Sequence, residues 1–391
     1  MDNQHGALVT IVPEPGRTAR LDAELKEKLQ AYKESLSREE IEKLVTDTKH
    51  LQEYQEEPSS QEDLEKIPML TREDISREIA PIYNEEMKIA DIPTVFHEIE
   101  TNGIGYLDLM FDLSDVPEKD LPMVGLLQAV LGIIDTEHYE YGELFNEINR
   151  HTGGIGTSLE LYPDVTKVKE KEFRATFEIK AKALYGQIPF AIRMMKEILT
   201  ASKLDDEKRL KEILSMTKTR LQDRFLSAGH SAAALRAMSY KSPISKFKDT
   251  TNGIEYYQNI REMEEHFDEK KEEIISGLKA LSELLFRKGN VMISYTASRE
   301  GLAVLEEEIG SLKEALYPER MPESRCILHC EKKNEGFKTS SKVQFAAKAG
   351  NFIDAGEEYN GALQILKVIM SYEYLWINIR VKGGAYGCVS N

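Results

Sequence analysis

Cysteine and positive charge are both scarce in this chain, and each shortage excludes something. Three cysteines in 391 residues, Cys326, Cys330 and Cys388, make no disulfide framework and fit a reducing compartment, so a cytoplasmic location is expected. Lys and Arg number 51 against 68 Asp and Glu, a formal charge of −17, which argues against nucleic acid as a partner because a phosphate backbone needs clustered cations. No apolar run reaches the roughly 18 residues of a membrane span, and residues 1–13 hold no basic stretch followed by an apolar one. Neither a membrane partner nor secretion is therefore expected. The eight histidines, His5, His50, His97, His138, His151, His230, His266 and His329, include no two spaced four apart, so no helix offers a two-histidine zinc pair. Cys326, His329 and Cys330 are near neighbours, but on a strand His329 would point opposite to both cysteines, and no metal ligand is assigned there.

What is present is periodicity in a mixed order, on a composition that is 41 % hydrophobic and sufficient for real cores. Residues 7–12 form a β-rich run closed by Pro13-Glu14-Pro15-Gly16, which reads as a final strand. Two charged helices come next, one with the stripe Leu21, Leu25, Leu29 and Tyr32, the other with Ile41, Leu44, Val45, Thr48 and Leu51. The second opens on Ser37 with Glu40 three residues later, a capping box. Such narrow stripes suit an arm or linker. From about residue 82 to 316, Leu107, Leu109, Phe111 and Leu113 alternate with Tyr106, Asp108, Met110 and Asp112, and Phe173, Ala175, Phe177 and Ile179 repeat the signal. Residues 290–296 give a further strand. Helices are expected at 121–134, 141–151, 187–201, 205–225, 231–237, 262–286 and 300–316, so the fold class is α+β, an antiparallel sheet packed with helices.

Near the end, an apolar run at 362–379, with Leu363, Leu366, Ile369 and Met370 on one side, leads into Arg380-Val381-Lys382-Gly383-Gly384-Ala385-Tyr386-Gly387. The glycine pair would end the helix, and 385–390 reads as a strand. Arg380 and Tyr386 would then face each other across the turn, a geometry fit for holding the carbonyls of an extended peptide. An ordinary helix-to-strand turn accounts for the same residues, and both readings stay open. A nucleotide loop is a poor fit, because no strand leads directly into the glycines and no helix comes after them. Leu144-Phe145, Ile148 and Gly153-Gly154-Ile155-Gly156 repeat the pattern of Leu375-Trp376, Ile379 and Gly383-Gly384-Ala385-Tyr386-Gly387, which implies a second copy beginning near Lys342.

Val343-Gln344-Phe345-Ala346-Ala347-Lys348-Ala349-Gly350-Asn351, Tyr374-Leu375-Trp376 and the segment from Arg380 to Gly387 resemble the C-terminal half of presequence proteases, in the pitrilysin/insulinase family of zinc metallopeptidases. Gln55-Glu56, Ile67-Pro68-Met69-Leu70 and Asp74-Ile75 resemble that subgroup's linker, and Thr152-Gly153-Gly154-Ile155 and Ser227-Ala228-Gly229-His230 its third domain. The resemblance implies a clamshell of four homologous α+β domains, with residues 1–16 the tail of a preceding domain, 17–80 a helical linker, 82–317 a complete but catalytically inactive third domain and 335–391 an incomplete fourth. It further implies unfolded peptides as substrates and an N-terminal peptidase half as partner. The family's H-x-x-E-H helix, which holds zinc and the general base, belongs to the first domain and is absent here. The helix at 121–134, standing where that helix would stand, offers only Gln128 before Asp135. No catalytic residue, metal ligand or cofactor is therefore assigned to this chain, with zinc expected in the missing half. The resemblance assigns substrate binding to Arg380 and Tyr386, with Gly383 and Gly384 forming the turn. A non-enzymatic subunit pairing with a separate zinc-bearing chain is the alternative.

The purified chain is expected to bind no stoichiometric zinc and to cleave no unfolded peptide. One zinc per chain by metal analysis, with chelator-sensitive proteolysis, would overturn that expectation.

Overall fold

Strand alternation at 104–112 becomes the middle of a six-stranded sheet in the computed structural model, which describes residues 5–78, 80–167, 169, 171–319, 325–341 and 343–390. The chain divides into two units, Met1–Ala80 and Pro81–Asn391.

The first unit holds helices α1 (Arg17–Ser35), α2 (Arg38–Glu56) and the short α3 (Gln61–Glu65). The capping box at the start of α2 is present: the Glu40 N–H donates to Ser37 Oγ at 3.2 Å, and the Ser37 N–H donates to Glu40 Oε2 at 2.8 Å. No residue of α1 or α2 is buried, so both apolar stripes face outward. Residues 7–12 form no strand; every one is exposed and none pairs with a neighbouring strand. β-propensity alone leaves backbone N–H and C=O groups without a ladder, and water then serves them equally well.

In the second unit, β1 (Glu85–Ile89), β2 (Ile92–Glu98), β3 (Ile104–Asp112), β4 (Ile155–Pro163), β5 (Phe173–Leu184) and β6 (Val291–Ala297) lie in the order β1-β2-β6-β3-β5-β4. Every pair is antiparallel except β2 with β6. On one face Leu107, Leu109, Phe111, Phe177, Ile179 and Ile293 are fully buried. Phe286 closes this layer edge-on, its ring 5.0 Å from that of Phe111 and 5.5 Å from that of Phe177. The helices are α4 (Leu121–Val130), α5 (Tyr141–His151), α6 (Ile188–Thr200), α7 (Glu207–Ser227), α8 (Gly229–Ser239), α9 (Pro243–Asn252), α10 (Ile254–Glu265), α11 (Phe267–Leu285) and α12 (Arg299–Ala315).

Two expected helices differ by more than two residues at an end. The one expected at 121–134 stops at Val130, where the chain turns through Gly132 in the left-handed region, φ +85°. The one expected at 262–286 is the end of α10 and all of α11, broken at His266, whose φ of −113° and ψ of 28° leave the helical region.

The C-terminal part departs further from expectation. Among the described residues, 325–361 contain no helix or strand, and Lys342, the expected start of the second copy, lies outside them. Instead of adding a strand to the sheet, this segment docks through one main-chain bond and several side chains. The Cys326 N–H donates to the Ser114 carbonyl at 2.7 Å, His329 meets Glu118, the Phe345 ring lies against Gly229, and Lys171 pairs with Asp354 at 2.8 Å. The final helix is α13 (Ala362–Ile369), which widens into π winding over Met370–Val381. Residues 385–390, expected as a strand, form none.

One buried charge cluster ties segment to domain. Arg236 of α8 donates to Asp249 at 2.6 Å and to Glu335 at 2.8 Å, while the Ile254 N–H supplies the second oxygen of Asp249 at 2.9 Å. Asp249 is 0 % exposed, so Arg236→Ala would strand a buried carboxylate and should destabilise the chain by about 3–5 kcal/mol in chemical denaturation. Arg299→Ala, which removes exposed ion pairs with Glu85 and Glu98, should cost far less, because solvent screens them. Equal effects of the two substitutions would refute this account of Arg236.

Candidate functional site

Three places in the second unit bear on chemistry. The first is α4, whose residues Leu-Pro-Met-Val-Gly-Leu-Leu-Gln-Ala-Val carry one amide and one thioether as their only heteroatom side chains. That amide is engaged: Gln128 Nε2 donates to the Thr157 carbonyl at 3.3 Å, and Thr157 Oγ1 donates to the Gln128 carbonyl at 3.0 Å. Such a donor set does not fit zinc, which takes thiolate, imidazole or carboxylate ligands. Among the described residues no group of three or more His, Cys, Asp or Glu side chains is placed to hold a metal ion. His329 lies on irregular chain, not on a strand, and its Nδ1 meets Glu118 Oε2 at 2.7 Å. Cys326, Cys330 and Cys388 are all free thiols.

The second place is the polar face of the sheet. β3 sets Asp108 opposite Lys180 of β5, and Lys180 Nζ lies 2.9 Å from Glu160 and 3.0 Å from Glu178. Glu178 also accepts from Tyr162 Oη at 2.7 Å and from Thr176 Oγ1 at 2.6 Å. Burial pushes the Asp108 carboxyl up to about 6, Lys180 opposing and Glu178 and Glu160 reinforcing the shift. Sequence reading did not single out these residues. The signal was the polar phase of the same alternation that revealed the core, in which Asp108 and Met110 read only as the outward positions.

The third place is the glycine turn after the π winding. The Gly384 N–H donates to the Arg380 carbonyl at 3.0 Å and the Ala385 N–H to the Ile379 carbonyl at 3.1 Å, closing the helix end as a Schellman turn does, with the longer span that π winding requires. Gly384 takes φ +70°, as Gly154 takes φ +121° in the corresponding turn after α5, so the second glycine of each pair occupies the region side chains disfavour. Arg380 stacks over Trp376, 4.5 Å from the ring centroid, and its Nε donates to the Tyr386 carbonyl at 3.2 Å. The turn thus brings Arg380 to the main chain of Tyr386 and not to its phenol, which is 95 % exposed. With no strand at 385–390 to orient it, that side chain is left in solvent.

A helix-backed six-stranded sheet, with a helix-glycine-glycine turn after α5 and a similar residue pattern after the π winding, defines an α+β protein. Residues 11–263 match the family of domains associated with peptidase M16, subfamily C, and residues 334–391 match the PreP C-terminal domain. The chain belongs to that peptidase-associated family. It is 37 % identical to Protein HypA of Clostridium perfringens over 391 residues, 100 % of this chain and 40 % of that protein. It is 26 % identical to Presequence protease 1, chloroplastic/mitochondrial, of Arabidopsis thaliana, over 99 % of this chain and 36 % of that protein. The chain thus spans about two fifths of the length of these curated relatives. A solved peptidase M16 inactive domain from Pseudomonas fluorescens aligns with 64 % of this chain and 54 % of its own at 15 % identity, with a TM-score of 0.41. Among the described residues no helix is long and apolar enough to cross a membrane.

The raised carboxyl on the polar face has a pH signature. Asp108 unfolded titrates near 3.8 and folded near 6, so the folded state holds the proton more tightly and this site loses stability as pH rises from 3.8 through 6. Asp108→Asn should flatten that fall and raise the Tm near neutral pH relative to the parent, while changing little near pH 3. A Tm lowered across the whole range would refute it.

Proposed function

We propose that this chain is the substrate-binding, metal-free portion of a zinc-dependent peptidase that degrades unfolded peptides. The observation carrying the reading is Arg380, whose guanidinium is already engaged with the main-chain carbonyl of Tyr386 at 3.2 Å, while the Tyr386 side chain stands free in solvent. A carbonyl of an extended peptide, taking the place of the Tyr386 carbonyl, would meet the same donor, and the Tyr386 hydroxyl could then stabilise charge developing on the scissile oxygen. Residues 17–80 serve in this reading as the helical linker, 82–317 as the third domain and 335–391 as part of the fourth. Zinc, its water and the general base are assigned to an N-terminal half. The longer chains of HypA and presequence protease 1 favour a half carried on the same polypeptide. Three free thiols agree with a cytoplasmic setting.

In an enzyme containing both halves, Arg380→Ala and Tyr386→Phe should each lower kcat by about 10²- to 10³-fold, as the loss of an oxyanion donor does, with zinc content unchanged. Full turnover in both variants would remove the substrate role and leave the glycine turn as architecture.

A further inference from the structure

Beside α4, between the glycine turn after α5 and helices α7 and α10, lies a pocket of about 580 Å³ that the peptide-binding reading does not use. Its walls come close because Gly125 has no side chain; a Cβ there would sit 2.5 Å from the Thr251 carbonyl and 2.7 Å from the Tyr256 ring. Arg220 and Arg224 line it, four residues apart on one face of α7. None of the described residues lining it is acidic, in a chain where acids outnumber bases 68 to 51. Arg224 is held by neutral groups, donating from Nη1 to Asn252 Oδ1 at 2.9 Å and from Nη2 to the Asn252 carbonyl. Among the described residues neither arginine has a carboxylate partner. Burial and the neighbouring Arg220 hold the Arg224 guanidinium below its ordinary range.

Tyr256 supplies an independent indication. It is 2 % exposed, lines the same pocket, and among the described residues its hydroxyl has no hydrogen-bond partner. A buried O–H without an acceptor is costly, and one set beside two uncompensated guanidiniums is a donor awaiting an anion. Phe145 and Ile133 add apolar wall, so the pocket suits an anion carried on an apolar body. A carboxylate presents two oxygens, matching the fork geometry of guanidinium.

We propose that this pocket binds a carboxylate borne on an apolar group, the chemistry of a peptide's C-terminus. The ligand's identity rests on the peptide-binding reading above; the pocket itself does not. Calorimetry on the 391-residue chain with 3-phenylpropionate and its amide, and with a peptide ending in leucine as free acid and as C-terminal amide, tests both parts. Each acid should bind at least about tenfold more tightly than its amide, and Arg220→Ala and Tyr256→Phe should each weaken the acids about tenfold, the effect of losing one hydrogen bond to a charged group. Tyr256→Phe removes a hydroxyl with no partner, so its fold should be retained. Failure of 3-phenylpropionate to bind, or binding indifferent to both substitutions, overturns the site. Equal affinity for the peptide acid and amide overturns its assignment to a C-terminus. Neither result involves Arg380 or Tyr386, so the turnover measurement stands apart.

Discussion

A strand persists only where a neighbour takes up its N–H and C=O groups, and that requirement decides which parts of this chain are sheet. β3 meets it on both sides, pairing with β5 from Ile104 to Asp112 and with β6 from Tyr106 to Phe111. The turn after α5 meets it too: the Gly153 N–H donates to the Lys182 carbonyl at 2.8 Å, and from there Ile155 enters β4 alongside β5. At Gly383-Gly384 the second glycine is again left-handed, but the Gly384 and Ala385 N–H groups donate back into the helix where the Gly154 N–H takes Thr152 Oγ1, and among the described residues no counterpart of β5 is present. The residues after the glycine pair fold back instead, so that the Ser390 N–H donates to Ser371 Oγ at 3.4 Å. A shared sequence pattern thus gives a shared left-handed glycine, while the bonds that close the helix and the strand beyond it depend on a neighbour outside the motif.

The legible parts of the sequence were those whose signal is local and repeated. Period-2 alternation marked β3 and β5, because each buries apolar residues on the face toward the helices and carries polar ones on the other. β1 is five residues long, β2 carries Pro93 and β4 opens on Ile-Gly-Thr-Ser, so none presents the contrast on which alternation depends. The break at His266 was hidden because apolar spacing runs on through Phe267 into α11. Arg380 could be picked from its motif, but the direction of the Tyr386 phenol could not, since that is set by a strand that does not form. Arg220, Arg224 and Tyr256 converge from α7 and α10 with nothing at either place to distinguish them from ordinary helix residues.

Charge does in the C-terminal segment what ladders do in the sheet. Glu335 reaches Arg236, which is also paired with buried Asp249, and Tyr240 Oη adds a bond to the same Glu335 at 3.1 Å. Buried pairs of this kind gain little net stability, because desolvation offsets attraction, but they penalise misplacement of either partner. Lys171 with Asp354 and His329 with Glu118 are more exposed and correspondingly weaker, so the register of the segment depends mainly on Glu335. Further along, α13 and the π winding have no ladder and no buried residue. The path of the chain toward the Arg380 turn is thus fixed by separate contacts at Cys326, Glu335, Phe345 and Asp354, and not by a ladder.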